Sequence, residues 1–335
     1  MAIKSSGQLS LRDDIRPEFG AATTNVSLRN LSASAGFTTP DAMSEFYGYS
    51  NVVNTHAVRA DGNGFIGSQF TQYPSNPQNF FQGGLWFRNN APTARGQDLI
   101  SAGDSWAFYR TGNRNYIRIS YNARFNRINV QVFSNGTRVS QRQYPLHDNS
   151  GITGITSSSA GWYSGQRGNT DADGFTYIGW KVLLNNGGTA TNNIELWWNG
   201  QPLTFAVNNQ NASGTRISSI QMRHIVIGDN ISATTFPTAT SFYGDFDDVF
   251  WHHSNSPNAT VSRVWTTTDH AGIYNAGRGS NYLPTGYNNG GNSTIVYTTL
   301  LRFDNEYDSL GFATDSGNYQ RRPIRAFGSW EFVPL

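Results

Sequence analysis

From about residue 55 onward, apolar and polar side chains alternate in short runs. In Tyr116-Ile117-Arg118-Ile119-Ser120-Tyr121 they largely exchange at every position, and Arg127-Ile128-Asn129-Val130-Gln131-Val132 keeps the same period. A period of two places each set on one face of a strand, so each run predicts a strand that buries one face. Ile178 to Leu184 and Ile194 to Trp198 continue the series. Asn199-Gly200 and Asn135-Gly136 follow Trp198 and Phe133 closely, and Asn-Gly suits the two-residue hairpin turn with positive φ at both positions. Many short strands, frequent Gly and Asn breaks and no long amphipathic helix predict an antiparallel sandwich or jelly roll. Heptads and Gly-X-Y runs are absent from the sequence, which excludes a coiled-coil or collagen-like shaft.

Residues 1–50 read differently, as polar pieces punctuated by Leu, Ile and Phe. One short helix is predicted near their end, with Thr39 as cap, Pro40 in the first turn, Asp41 at the positive end of the dipole and Gly48 closing it. Such a helix is too short to stand alone. The pattern therefore sets a segment over 1–50 apart from the β-region that follows.

Composition sharpens this picture. Aromatic residues make up 14% of the 335 residues within a hydrophobic total of only 37%, so the core draws on Phe, Tyr, Trp and β-branched side chains, which favour strands. Charged residues are also only 14%, leaving Asn, Ser, Thr, Gly and Gln to carry the polar surface. A net charge of +2 with scattered basic residues gives no footprint for nucleic acid. The absence of cysteine excludes disulfides, thiol catalysis and cysteine zinc sites. No apolar leader and no run of 18 apolar residues occurs, so the sequence predicts a soluble protein without a standard export signal or membrane partner.

Several stretches resemble concanavalin A-like, laminin-G-like domains. Phe80-Phe81-Gln82-Gly83-Gly84-Leu85-Trp86-Phe87-Arg88 is similar to their opening strand, and Asp98 to Asp104 to the strand and turn that follow. Ile194 to Leu203 resembles their hairpin, and Ile225-Val226-Ile227-Gly228 one of their later strands. Tyr243-Gly244-Asp245-Phe246-Asp247-Asp248-Val249-Phe250 looks like the closing strand and is the most specific match. Val261 to Trp265, Ile273 to Gly277 and Leu300 to Asp304 resemble a helical turn, an extension and a strand found behind such domains in phage proteins. For the β-region the resemblance thus implies a β-sandwich over 51–270 and a C-terminal extension over 271–335 packed on the sandwich. Independently, Ser6 to Ile15 and Met43 to Tyr49 resemble a segment at the start of phage virion proteins.

The fold class also hosts glycoside hydrolases, so its carboxylates need weighing. Retaining hydrolysis requires two carboxyl groups about 5 to 5.5 Å apart. Asp245 and Asp247 share a strand face, yet the E-x-D-x-x-E arrangement that the glucanase resemblance would require is missing. Asp247 and Asp248 read instead as the end of a closing strand bonding to loops. The resemblance implies at most one cofactor, a Ca²⁺ ion with oxygen ligands, for which Asp229, Asn230 and Asp245 are the candidates; such residues also cap turns. Adjacent His252 and His253 point to opposite strand faces, predicting one packed and one exposed ring. Nucleophile elbow, phosphate loop and HExxH motifs are absent from the sequence.

Exposed aromatic rings can stack on a pyranose while Asn and Asp bond its hydroxyls. Trp198 shares parity with Ile194 and Leu196 and is expected in the core, leaving Trp197 on the opposite face as a glycan-contact candidate. Trp106, Trp162 and Tyr163 near predicted loops are the others. Together with the resemblance, these readings predict a non-enzymatic structural protein of a phage virion, on tail, fibre or capsid surface and homo-oligomeric in the particle. Leu9, Leu11, Ile15, Phe19, Phe46 and Tyr47 would dock it to other virion proteins. The alternatives are a receptor-binding lectin for host surface glycans and a glycan-degrading hydrolase.

Overall fold

The computed structural model describes residues 10–11, 15, 27–29, 31, 56–62, 65–69, 77–91, 96–104, 114–122, 127–146, 173–184, 193–204, 207–210, 217–232, 238–254, 264–278, 296–302, 314–315, 324–327 and 330–334. Its strands are β1 (His56–Asp61), β2 (Phe65–Gln69), β3 (Phe80–Asn89), β4 (Gly96–Gly103), β5 (Tyr116–Asn122), β6 (Arg127–Ser134), β7 (Thr137–Pro145) and β8 (Thr176–Leu183). They continue with β9 (Asn193–Trp198), β10 (Gln201–Pro202), β11 (Val207–Gln210), β12 (His224–Ile227) and β13 (Tyr243–Ser254). Helix α1 (Thr267–Ala276) then precedes β14 (Val296–Arg302), β15 (Thr314–Asp315), β16 (Ile324–Phe327) and β17 (Trp330–Pro334).

These strands form an antiparallel two-sheet sandwich. One sheet has nine strands in the order β10-β9-β8-β3-β13-β1-β17, with β14 on β13 and β15 on β14. The other has eight, in the order β11-β7-β6-β5-β4-β12-β2-β16. Period-two patterning fills the space between them. Phe81, Leu85 and Phe87 of β3, Ile178, Trp180 and Val182 of β8, and Leu196 and Trp198 of β9 meet Ile117, Ile119 and Tyr121 of β5 and Ile128, Val130 and Val132 of β6 in one core cluster. Each such side chain, fully buried, contributes about 1.5 to 3 kcal/mol. Trp198 faces this core, as its parity predicts.

Both Asn-Gly pairs form the expected turns, with φ of 50° and 76° at Asn135 and Gly136 and 49° and 77° at Asn199 and Gly200. The closing strand differs from expectation. It does not end at Asp247 and Asp248 but continues to Ser254, with a bulge at Asp248, where φ is 35° and the register with β3 shifts. The extra residue resets the alternation, so that Phe246 and Val249 both face the core.

The C-terminal residues are also more integral than an extension packed on the sandwich. A boundary at residue 271 falls inside α1, β17 pairs with β1, and β16 pairs with β2. At the other end, Ile15 is fully buried within the chain and Leu11 half-buried, whereas Leu9, Phe19, Phe46, Tyr47 and the helix predicted over 39–48 lie outside the described residues. Among the described residues no helix is long and apolar enough to cross a membrane.

Candidate functional site

Each sheet has an outer face, and the two differ in chemistry. On the nine-stranded sheet, alternation turns Trp86, Tyr177 and Phe250 outward, where they cluster with Ala57, Phe175, Trp265 and Ile273 beneath α1. The helix starts at a capping box: the Asp269 carboxylate accepts from the Thr266 backbone N–H at 2.7 Å, and the Thr266 hydroxyl accepts from the Asp269 N–H. Gln82 anchors its approach by accepting from the Trp265 N–H at 2.8 Å. His270 reaches down from α1, its Nδ1 2.9 Å from the Tyr177 hydroxyl and its ring stacked on Trp197 at 4.0 Å. Gly179 makes the room: a Cβ there would lie 2.3 Å from His270 Nδ1.

Trp197 is therefore not an exposed stacking platform. It is 3% exposed, and its indole N–H donates to the Thr267 hydroxyl at 3.1 Å. Covering of the second face by a distant helix is the reason. The histidine expectation is also corrected: His252 and His253 are both fully buried, because β13 lies in the middle of its sheet. His253 Nδ1 accepts from the Trp251 indole at 3.2 Å, while His252 packs edge-on to Phe80. Burial pulls the pKa of His252 down to about 3, and burial with Lys181 nearby does the same to His270.

The proposed calcium ligands do not converge. Asp245, on β13, accepts from Arg59 at 2.8 Å, from Arg88 at 2.6 Å and from Asn90 at 2.8 Å. Asp229 follows β12 in the other sheet and accepts from the Thr238 and Ser241 hydroxyls, both at 2.6 Å, and from the Asn230 N–H at 2.7 Å. The Asn230 side chain accepts from the Ser232 N–H at 3.0 Å. Among the described residues no group of three or more His, Asp or Glu side chains could hold a metal ion. Asp247, the other carboxylate weighed for hydrolysis, accepts from Arg278 at 3.1 Å. Arg278 also pairs with Asp173 and lies over the Phe175 ring at 4.0 Å.

The outer face of the eight-stranded sheet is polar. Register pairs Arg118 with Gln131 and Gln131 with Gln141 across β5, β6 and β7, and in the next row Ser120 with Asn129 and Asn129 with Gln143. The Gln131 amide donates to the Gln141 carbonyl at 2.9 Å, and Arg127 donates to Gln143 at 2.7 Å. Ser120, Asn129, Gln131 and Gln141 form a buried floor, and Arg118, Asn122, Arg127 and Gln143 a half-buried rim. The Asn129 side-chain oxygen is buried and accepts no hydrogen bond. A buried acceptor without a donor costs about 1 to 3 kcal/mol, so this one calls for an explanation.

Toward one end of this face, Phe133 is half-buried and stacks on Tyr116 at 4.3 Å with the rings 6° apart. The Tyr116 hydroxyl donates to Ser232 at 3.1 Å, and burial raises its pKa. Deeper in the same sheet Arg118 pairs with Asp98, which also accepts from Thr240 at 2.6 Å. Burial pushes the Asp98 carboxyl above its ordinary range against the pull of both partners. Trp106, Trp162 and Tyr163 lie outside the described residues. None of the amide-bearing positions was singled out by sequence, although the polar half of Arg127-Ile128-Asn129-Val130-Gln131-Val132 carried the signal: its polar members are Arg, Asn and Gln, with no Lys or Glu.

No protein-family profile and no curated protein matches the sequence. Among solved structures, the chain is similar to a heptameric SAP-like pentraxin from Limulus polyphemus at 10% identity and TM-score 0.39, over 68% of this chain and 84% of that one. A Bacteroides ovatus protein assigned to carbohydrate binding aligns at 10% identity and TM-score 0.42, over 84% of this chain and 61% of its own. A CBM40 domain of a Ruminococcus gnavus sialidase, solved with sialyllactose, aligns at 9% identity and TM-score 0.31, over 58% of this chain and 88% of that one. At these levels the likeness settles neither ligand nor activity.

Proposed function

We propose that this chain is a glycan-binding protein without catalytic activity, and that the outer face of its eight-stranded sheet is the binding surface. The observation that carries this is the amide-rich floor with the Asn129 oxygen left without a donor. A sugar hydroxyl is a donor of the right kind. It also accepts, as the spare N–H groups of Gln131 and Gln141 require. The Phe133 ring beside the amides adds an apolar surface on which a pyranose can stack.

The carboxylates support the non-catalytic half of the reading. Asp245 and Asp247 are each held by arginine rather than poised as an acid and a nucleophile across one bond. A glycan array with the full chain and with the double variant Gln131→Ala/Gln141→Ala tests the binding surface. Glycan retention by the wild type and its loss in the folded variant are expected; retention by both would move the site elsewhere. Reducing ends released from a bound glycan, in an assay lost with Asp247→Asn, would make the protein a hydrolase.

Placement on a phage particle rests on the resemblance of Ser6 to Ile15 and Met43 to Tyr49. Within it, the amino-terminal segment docks to a neighbouring virion protein and the sandwich displays its polar face. Burial of Ile15 inside the chain limits that docking set to the remaining apolar residues. A truncation lacking residues 1–50 that melts cooperatively but no longer joins particles is the expected result; normal incorporation would remove the docking role.

A further inference from the structure

We infer that the polar face takes several consecutive units of a linear glycan lying across the strands, rather than one terminal sugar. The inference rests on the glycan reading above and adds the form of the ligand. Across the strands the chemistry repeats: Arg118, Gln131 and Gln141 stand in register, and the ladder continues to position 209 of β11, which is asparagine. Along a strand it changes at every second residue, from Phe133 through Gln131 and Asn129 to Arg127.

A polymer of repeating hydroxyl-bearing units matches the direction in which donors and acceptors repeat. Four strands at about 4.8 Å spacing give a track of about 14 Å. The parallel row of Ser120, Asn129 and Gln143 lies about 7 Å away along the strands. Two tracks at that separation can meet hydroxyls on both edges of a sugar chain. The unpartnered Asn129 oxygen sits in the middle of the second track, where an internal unit would pass.

The test is affinity against chain length, measured by calorimetry with the full chain and cello-, chito-, manno- and alginate oligosaccharides of one to six units. Expected is one series that tightens by on the order of tenfold per unit through the third, the worth of one or two new hydrogen bonds, and then levels off. In Gln131→Ala/Gln141→Ala, which removes both partners of one bond and so leaves neither orphaned, the gain from one unit to three should collapse. Binding of a single unit as tightly as a hexamer would overturn this inference while leaving the glycan reading intact. Length dependence unchanged in the double variant, with its melting curve preserved, would place the track elsewhere and overturn it too. Failure of every series to bind, with an array also blank, would remove the glycan reading itself.

Discussion

The outer faces of the two sheets solve the same problem in opposite ways. On the nine-stranded sheet, aromatic side chains are sealed by the chain's own helix, and several polar groups meet partners there, His270 with Tyr177, Trp197 with Thr267 and Gln82 with Trp265, although Trp86 Nε1 and His270 Nε2 are buried without a hydrogen bond. On the eight-stranded sheet, amides line a floor that ends in an unsatisfied oxygen. Unsatisfied buried atoms thus occur on both faces; the difference is that the first face is aromatic and covered by α1, whereas the second is a row of amides and arginines. On the glycan reading proposed above, the covered aromatic face is scaffold and the amide face the binding surface of one sandwich.

That contrast can be broken most forcefully at Trp86, whose ring packs against Tyr177 at 5.4 Å and stacks on Tyr274 at 5.6 Å. Trp86→Ala should cost about 3 to 5 kcal/mol in denaturant unfolding. Glycan binding, measured where the variant is still folded, should be unchanged. A smaller loss, about 1 to 3 kcal/mol, is expected for Gly179→Ala, because the new methyl occupies the space of the His270 ring. A Gly179→Ala protein as stable as the wild type would show that α1 is not seated by that hollow.

Acid should also act on the scaffold face. His252 and His270 titrate near 3 when folded against 6.5 when free, so between these values the unfolded chain binds more protons than the folded one. Their neutral burial is thus fully compatible with folding above pH 6.5, and stability falls as the pH drops toward 3. The slope is on the order of 1 kcal/mol per pH unit for each histidine well inside that window. Replacing His270 with Gln should reduce the slope of stability against pH; an unchanged slope would assign acid sensitivity to other groups.

The smallest effect on folding, and the most discriminating for function, is expected at Asn129. Removing a buried acceptor that has no donor costs no hydrogen bond, so Asn129→Leu should leave stability unchanged or raise it by about 1 kcal/mol. Glycan affinity should fall in the same protein. A clear loss of stability would show that the side chain serves the fold.

What was legible in the sequence was what is local. Strand periods, both Asn-Gly turns and the inward Trp198 depend on neighbouring residues, and alternation reports which side chains share a face. It does not report what covers that face. Trp197 is buried by a helix some seventy residues later, and His252 and His253 by the central position of β13. The surroundings of the calcium candidates were hidden for a related reason: Asp245 accepts from Arg59 and Arg88 of two other strands, and Asp229 from Thr238 and Ser241. The amide face was present as the polar half of two strands, but nothing local distinguishes a floor for a ligand from a solvated surface.

The pairing of β1 with β17 and of β2 with β16 also has a kinetic meaning. One neighbour of each early strand lies more than 250 residues downstream, so closing either sheet brings together widely separated parts of the chain. Such non-local pairing slows folding. During synthesis β1 and β2 must remain with an unpaired edge until β16 and β17 have left the ribosome, and an unpaired edge invites association with other chains. Yield in expression should therefore depend on how quickly those last strands arrive, more than on the stability of the finished sandwich.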